Sequence, residues 1–147
     1  MKGLRYFLKE NNIPENDELY FAYSSTLRIS GDINNSNEIS EILELTPTHF
    51  HRKGEKRTEK SRPYKMGLWG YSPDIPEEKP LEEHINALWD SLKHKKAEIL
   101  KLKEKYEIDI FNGYRSNSDT AGFEVPYSCL EMFIELKISF GVSIIIT

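Results

Sequence analysis

The feature that most constrains this chain is an apolar series in residues 80–106. Leu81, Ile85, Leu88, Leu92, Ile99, Leu102 and Tyr106 step by three and four, with Lys95 interrupting the series. That spacing puts one apolar side on an α-helix. A helix of this length would run roughly 40 Å, more than a small domain is wide, and it needs a surface to lie against. Coiled-coil pairing is disfavoured, because the series covers fewer than four heptads and Lys95 takes a position that should be apolar. Lys93, Lys95, Lys96, Lys101, Lys103 and Lys105 gather in the C-terminal half, where they complement the helix dipole.

The surface is expected to be a sheet. From residue 19 to residue 30, Leu19, Phe21, Tyr23, Leu27 and Ile29 alternate with Tyr20, Ser24, Thr26, Arg28 and Ser30, the pattern of a half-buried strand. Residues 66–71 form a second strand around Leu68, Trp69 and Tyr71. Residues 107–114 form a third, with Ile108, Ile110, Asn112 and Tyr114 on one side. Residues 122–125 are expected to pair back as a short strand before Pro126. The β-branched run Val142–Ile146 predicts a strand covered on one or both faces rather than an edge.

Two shorter helices fill the gaps. Asn35, with Glu38 three residues on, has capping-box spacing before a helix to Leu45 whose inner stripe is Ile39, Ile42 and Leu43, ended by Pro47. Ser128 and Glu131 repeat that spacing, with Tyr127 and Met132 as a hydrophobic staple and Leu130, Phe133, Ile134 and Leu136 as the buried side. The fold expected is α+β: a two-layer sandwich with a mainly antiparallel sheet of about five strands and helices packed on it. Strand–helix–strand units in residues 19–71 and 107–147, with ILEL and IELKI on their helices, hint at a ferredoxin-like duplication. Residues 1–18, with a helical turn at Leu4 to Leu8 followed by Asn11, Asn12, Pro14 and Asn16, are expected to be a loosely held leader to a single domain, 19–147.

Composition narrows the setting. With 147 residues, one domain is the default. The single cysteine, Cys129, cannot form an internal bridge, the first ten residues are unlike a secretory signal, and no apolar run approaches a membrane span. A cytoplasmic location without membrane attachment is the expectation. The net charge of −4 hides an asymmetry, since residues 52–65 hold seven basic residues against Glu55 and Glu59, leaving the remainder strongly acidic. A uniformly basic nucleic-acid protein is excluded by that balance, whereas one basic loop on an acidic body stays available to a polyanion.

LRISGD at 27–32, EISEILELTPT at 38–48, RKGE at 52–55, GLWGYS at 67–72 and LEEHINALWDSL at 81–92 resemble, in order and spacing, a bacterial family known only as domain-of-unknown-function family forty-two seventy-nine. The likeness covers the chain from about Tyr20 onward. Where the family pattern has a tryptophan before RKGE, this sequence has Phe50 and His51. The resemblance implies the same fold class and a bacterial cytosolic setting, and carries no activity, ligand or catalytic residue with it. Small families of similar build include immunity proteins that block a cognate toxin, an analogy of fold and size.

The remaining constellations have bland readings. His49 and His51 would share one side of a strand, but a zinc site needs three or four ligands. Asp32, Asn34 and Ser36 imitate the start of a calcium loop, which fails at Asn37 and Leu43. Cys129 falls in the first turn of a helix, where packing is the simpler reading than dipole activation. No nucleophile–base pairing, phosphate-binding glycine loop or His-Glu-x-x-His is present, so no catalytic residue, metal ligand or cofactor is assigned.

Arg52, Lys53, Lys56, Arg57, Lys60 and Arg62 are the candidate binding residues, on a mobile loop or an exposed hairpin. The expected role is a non-catalytic protein-interaction module, an immunity-type inhibitor being one form of it. The alternative is a small-ligand or polyanion binder using the 52–65 loop. A protein partner is favoured over nucleic acid, homo-oligomerisation is left open, and the exposed sheet face is the other surface available.

Overall fold

The computed structural model describes residues 18–120 and 122–147. The leader expected at 1–18, including its helical turn, lies outside the described residues apart from Glu18.

The central strand is β1, Phe21–Gly31, whose inward side chains include Tyr23, Ser25, Leu27 and Ile29, all buried. It leads through Ile33 into α1, Asn37–Leu43, and on to β2, His49–His51, and β3, Gly67–Tyr71. Two helical pieces follow, α2, Leu81–Leu92, and α3, Lys96–Leu102, joined by a 3-10 turn at Lys93–Lys95. Then come β4, Glu107–Ser116, a 3-10 turn at Tyr127–Leu130, α4, Glu131–Leu136, and β5, Val142–Ile146.

The strands form one sheet in the order β2-β3-β1-β4-β5. All pairs are antiparallel except β4–β5, which is parallel. The α+β two-layer sandwich with five strands is therefore the observed fold. Its first four strands, joined β-α-β-β-α-β and ordered β2-β3-β1-β4, have the ferredoxin-like arrangement. The duplication expected from units at 19–71 and 107–147 does not match it. The two similar halves are β1-α1-β2 and β3-helix-β4, and α4 with β5 is an addition at the edge.

One core cluster joins the inner sheet face to the helices, with Leu27, Ile29, Ile39, Leu43, Trp69, Ile85, Leu88, Leu92, Ile99 and Met132 fully enclosed. The Trp69 indole Nε1–H donates to Ser40 Oγ at 3.0 Å, fixing α1 on β3. A Cβ at Gly67 would stand 2.5 Å from the Ile33 carbonyl oxygen, so β3 can begin against the β1–α1 turn only with glycine there.

Several expectations are corrected. The single 40 Å helix is broken at Lys93–Lys95, with Lys95 at φ −114°, ψ 18°; the ammonium of Lys95 leaves the stripe to reach Glu44 Oε2 at 3.0 Å. Asn35 does accept from the Asn37 amide, at 2.9 Å, but Glu38 closes no capping box and takes the Tyr106 hydroxyl at 3.5 Å. That helix ends at Leu43, where Glu44 turns left-handed, and Ile42 points outward, 40% exposed. At α4, Tyr127 forms no staple at 89% exposure and Ile134 is 72% exposed, while Cys129, Met132, Phe133 and Leu136, at the three-and-four spacing of one helix face, turn inward. Residues 122–125 form no strand: β5 takes the β4 edge, and Phe123 packs on Tyr23 and Tyr114 instead. Finally, among the described residues β5 is an edge strand, with Ile144, Ile145 and Ile146 about half exposed. Its β-branched composition reports a preference for pleated backbone and not depth in the sheet.

Candidate functional site

The hairpin joining β2 to β3 carries the candidate basic residues. The register His49↔Gly70, Phe50↔Trp69 and His51↔Leu68 sets Phe50 inward beside Trp69 and both histidines on the open sheet face, as the spacing of two requires. The His49 and His51 rings meet at Nε2···Nδ1 3.3 Å. On the far side, Tyr64 stacks on His51 with ring centroids 3.6 Å apart and planes 13° apart. Partial burial holds the His51 pKa below the ordinary histidine value, and the neighbouring His49 pushes the same way.

That stack anchors the base of a built arm. Gly54 N–H donates to the Tyr64 carbonyl at 2.8 Å, and Tyr64 N–H donates to the Glu55 carbonyl at 2.9 Å, so the hairpin continues past the sheet edge. Lys53 N–H reaches the Ile33 carbonyl at 3.2 Å, and the Glu55 carboxylate accepts the Arg52 amide at 3.0 Å. Beyond this base, Ser61 N–H bonds the Thr58 carbonyl at 3.1 Å and the two hydroxyls meet at 2.6 Å. Residues 52–66 hold turns and bends but no strand, so the segment is an exposed connection from β2 to β3 that these bonds fold back on itself.

The arm carries its cations outward. Arg52, Lys53, Lys56, Arg57, Lys60 and Arg62 are all exposed. Among the described residues only Lys53 of the six has an acidic partner, Asp32 at 3.9 Å. Glu55 is occupied by the arm's own backbone, leaving Glu59 as the other carboxylate there.

The open face beside the arm is polar and internally paired. Arg28 on β1 grips Asp109 on β4 with two bonds, Nε at 2.8 Å and Nη2 at 2.6 Å, and its guanidinium lies 4.9 Å from the Phe111 ring centroid. The hydrogen bond that Arg28 donates to Asp109 holds the Arg28 pKa above its usual value. Thr26 bonds Ser72 at 2.6 Å. These residues escaped the sequence reading because Arg28 and Asp109 are 81 positions apart and meet only through the β1–β4 register; the signal available was their place on the polar side of each alternating strand.

Other candidates have structural employment. Cys129 is buried in the core cluster. A groove of about 440 Å³ is lined by Ser30, Lys103, Tyr106, Glu107, Ile108 and Asp109. Its lysine is committed, donating to the carbonyls of Leu136 and Lys137 at 3.0 and 2.8 Å, where it satisfies the end of α4. Among the described residues no three His, Cys, Asp or Glu side chains stand together as metal ligands, and no helix is long and apolar enough to cross a membrane.

A ferredoxin-like sheet with an added parallel edge and a basic arm defines a class of small α+β domain, with its helices on one face. The chain belongs to the family described as Domain of unknown function (DUF4279), whose model matches residues 21–147. The match takes in every strand and helix named above and stops short of the segment before Phe21. No curated protein and no solved structure matches the chain.

Proposed function

We propose that this chain is a non-catalytic protein-interaction module that engages an acidic partner surface through the arm at residues 52–65. The observation that carries the reading is six exposed cations, of which among the described residues only Lys53 has an acidic partner, on a segment held by backbone bonds and the His51–Tyr64 stack. A pre-ordered arm loses less entropy on docking than a disordered one, and complementary charge speeds the encounter. Inhibition of a toxin, in the manner of immunity proteins, is one form this role would take in a bacterial cytosol.

The same cations favour a second reading, a polyanion or phosphate ligand. Single-stranded nucleic acid is the weaker version of it. Of the two aromatics flanking the arm, Phe50 turns to the core beside Trp69 and Tyr64 is already stacked on His51, so little ring surface is left for bases, and the acidic body repels the backbone. Titration of the protein at low ionic strength with labelled poly-glutamate, single-stranded RNA and inorganic polyphosphate separates the readings. The expected result is salt-sensitive binding of the carboxylate polymer that Lys56→Glu/Arg57→Glu/Lys60→Glu abolishes. Tighter binding of polyphosphate or RNA, lost in the same variant, would transfer the arm to the second reading.

A further inference from the structure

We propose that His49 and His51 form a two-point chelate for one divalent transition-metal ion of the zinc type, at the base of the arm. The ion is held between His49 Nε2 and His51 Nδ1, which face each other across 3.3 Å. The inference does not depend on what the arm's cations bind.

The separation distinguishes two kinds of bridge. A hydrogen bond donated by a nitrogen is at its best at about 2.9–3.0 Å. Two nitrogens that each bind a tetrahedral zinc ion at about 2.0–2.1 Å stand about 3.3–3.4 Å from one another. The pair has the second spacing. Its ring planes are 76° apart, so the contact runs between ring edges, where the nitrogens lie, and not between faces.

The surroundings orient both rings for this task. The His51 ring lies flat on Tyr64, with centroids 3.6 Å apart, and donates a hydrogen bond toward the Met66 carbonyl. Because Nδ1 faces His49, the donor is Nε2–H, and this tautomer leaves the Nδ1 lone pair on the side of its neighbour. A ligating histidine usually gives its other N–H to a carbonyl or carboxylate in this way, which fixes ring and tautomer together. His49 is exposed, so its proton passes to Nδ1 through water, and the ion takes the place that a shared proton would otherwise fill.

Strand geometry leaves room for the ion's other ligands. Residues two apart on β2 project to one face, and the residue across from His49 is Gly70, which has no side chain to fill the space beside the ring. Two imidazoles leave two tetrahedral positions for water, so this is an open, exchangeable site, unlike a structural zinc site closed by four protein ligands. The pair has no third His, Cys, Asp or Glu ligand among the described residues. Neutral imidazole suits Zn²⁺, Cu²⁺ and Ni²⁺, whereas Ca²⁺ and Mg²⁺ take oxygen ligands. Bound there, the ion braces the junction from which the arm leaves the sheet.

Titration of the untagged full chain with Zn²⁺ tests this, followed by calorimetry and by long-range ¹H–¹⁵N NMR of the imidazole rings. The expected result is one ion bound between the two rings, with His49 Nε2 and His51 Nδ1 as the nitrogen signals that move. His49→Ala and His51→Phe, the second keeping a ring on Tyr64, should each raise the dissociation constant at least about tenfold. His94→Ala, on the 3-10 turn between α2 and α3, should leave it unchanged. Because His49 is exposed, its substitution should not alter the circular dichroism spectrum. No binding below about 100 μM Zn²⁺ overturns the proposal, as does an affinity that both ring variants retain. Movement of the His51 Nε2 signal in place of Nδ1 overturns it too.

Discussion

Asn112 donates from Nδ2 to the Gly141 carbonyl at 3.0 Å, tying the centre of β4 to the turn that launches β5. Its Oδ1 accepts the Ser25 hydroxyl at 2.8 Å, so one buried amide links β1, β4 and the approach to β5. Replacing it by alanine strands the serine hydroxyl and the glycine carbonyl. The serine hydroxyl is buried whereas Gly141 is exposed, so at about 1–3 kcal/mol for one buried group left without a partner, Asn112→Ala should cost about 1–3 kcal/mol in urea unfolding. Exchange of the β5 amides should accelerate first, and a loss below about 0.5 kcal/mol would contradict the linking role.

Lys95 and Glu44 provide a test of the helix break. The hydrogen bond and charge of Lys95 hold the Glu44 carboxyl below its ordinary pKa, while the lysine side chain itself is only 16% exposed. In Lys95→Met the Glu44 titration, followed by carboxyl NMR, should return to the ordinary glutamate range. Because a depressed carboxylate stabilises the fold above its unfolded pKa, the wild-type chain should lose this contribution as pH falls below about 4.3, and the variant should not. An unchanged Glu44 midpoint would show that the pair does not form in solution.

His84 responds in a higher window. Burial holds its pKa down, with the carbonyls of Lys79 and Pro76 and the carboxylates of Glu83 and Glu78 opposing, and its Nε2 is enclosed without a hydrogen-bond partner. The unfolded chain therefore takes up a proton that the folded chain resists. Stability should be complete above about pH 6.5 and decline as pH falls through the depressed folded value. His84→Leu should flatten that part of the profile, and an equally steep decline in the variant would assign it to other groups.

Gly67→Ala probes the close approach of β3 to Ile33. The added methyl meets backbone, which cannot swing aside, so a loss of about 1–3 kcal/mol is expected from thermal or urea unfolding. A neutral effect would mean that the β1–α1 turn yields.

Much of this architecture was legible in residue order. Alternation marked β1 and β4 because each has one face on the core, and the stripe from Leu81 to Tyr106 marked the helices that cover them. Lys95 even marked the place of the break, although periodicity alone could not say that the chain would bend there to meet Glu44. What periodicity cannot carry is partnership. Val142–Ile146 has the composition of a central strand, yet a strand's neighbours are set by topology, and among the described residues β5 has one. At α4, Cys129, Met132 and Phe133 and the set one residue on, Leu130, Phe133 and Ile134, both satisfy helical spacing, and periodicity does not choose between the two faces. At the arm, the charge run was plain in the sequence. Its folded-back base comes from Tyr64 meeting His51 and Gly54, a contact that composition does not encode.

The central claim is that the arm recognises a protein. Its most direct test is capture from native cell extract on immobilised full-length chain, beside the variant Lys56→Glu/Arg57→Glu/Lys60→Glu checked for unchanged folding. A stoichiometric protein partner, released by salt and missing from the variant column, is the expected result. Equal retention on both columns, or retention of nucleic acid alone, would contradict it.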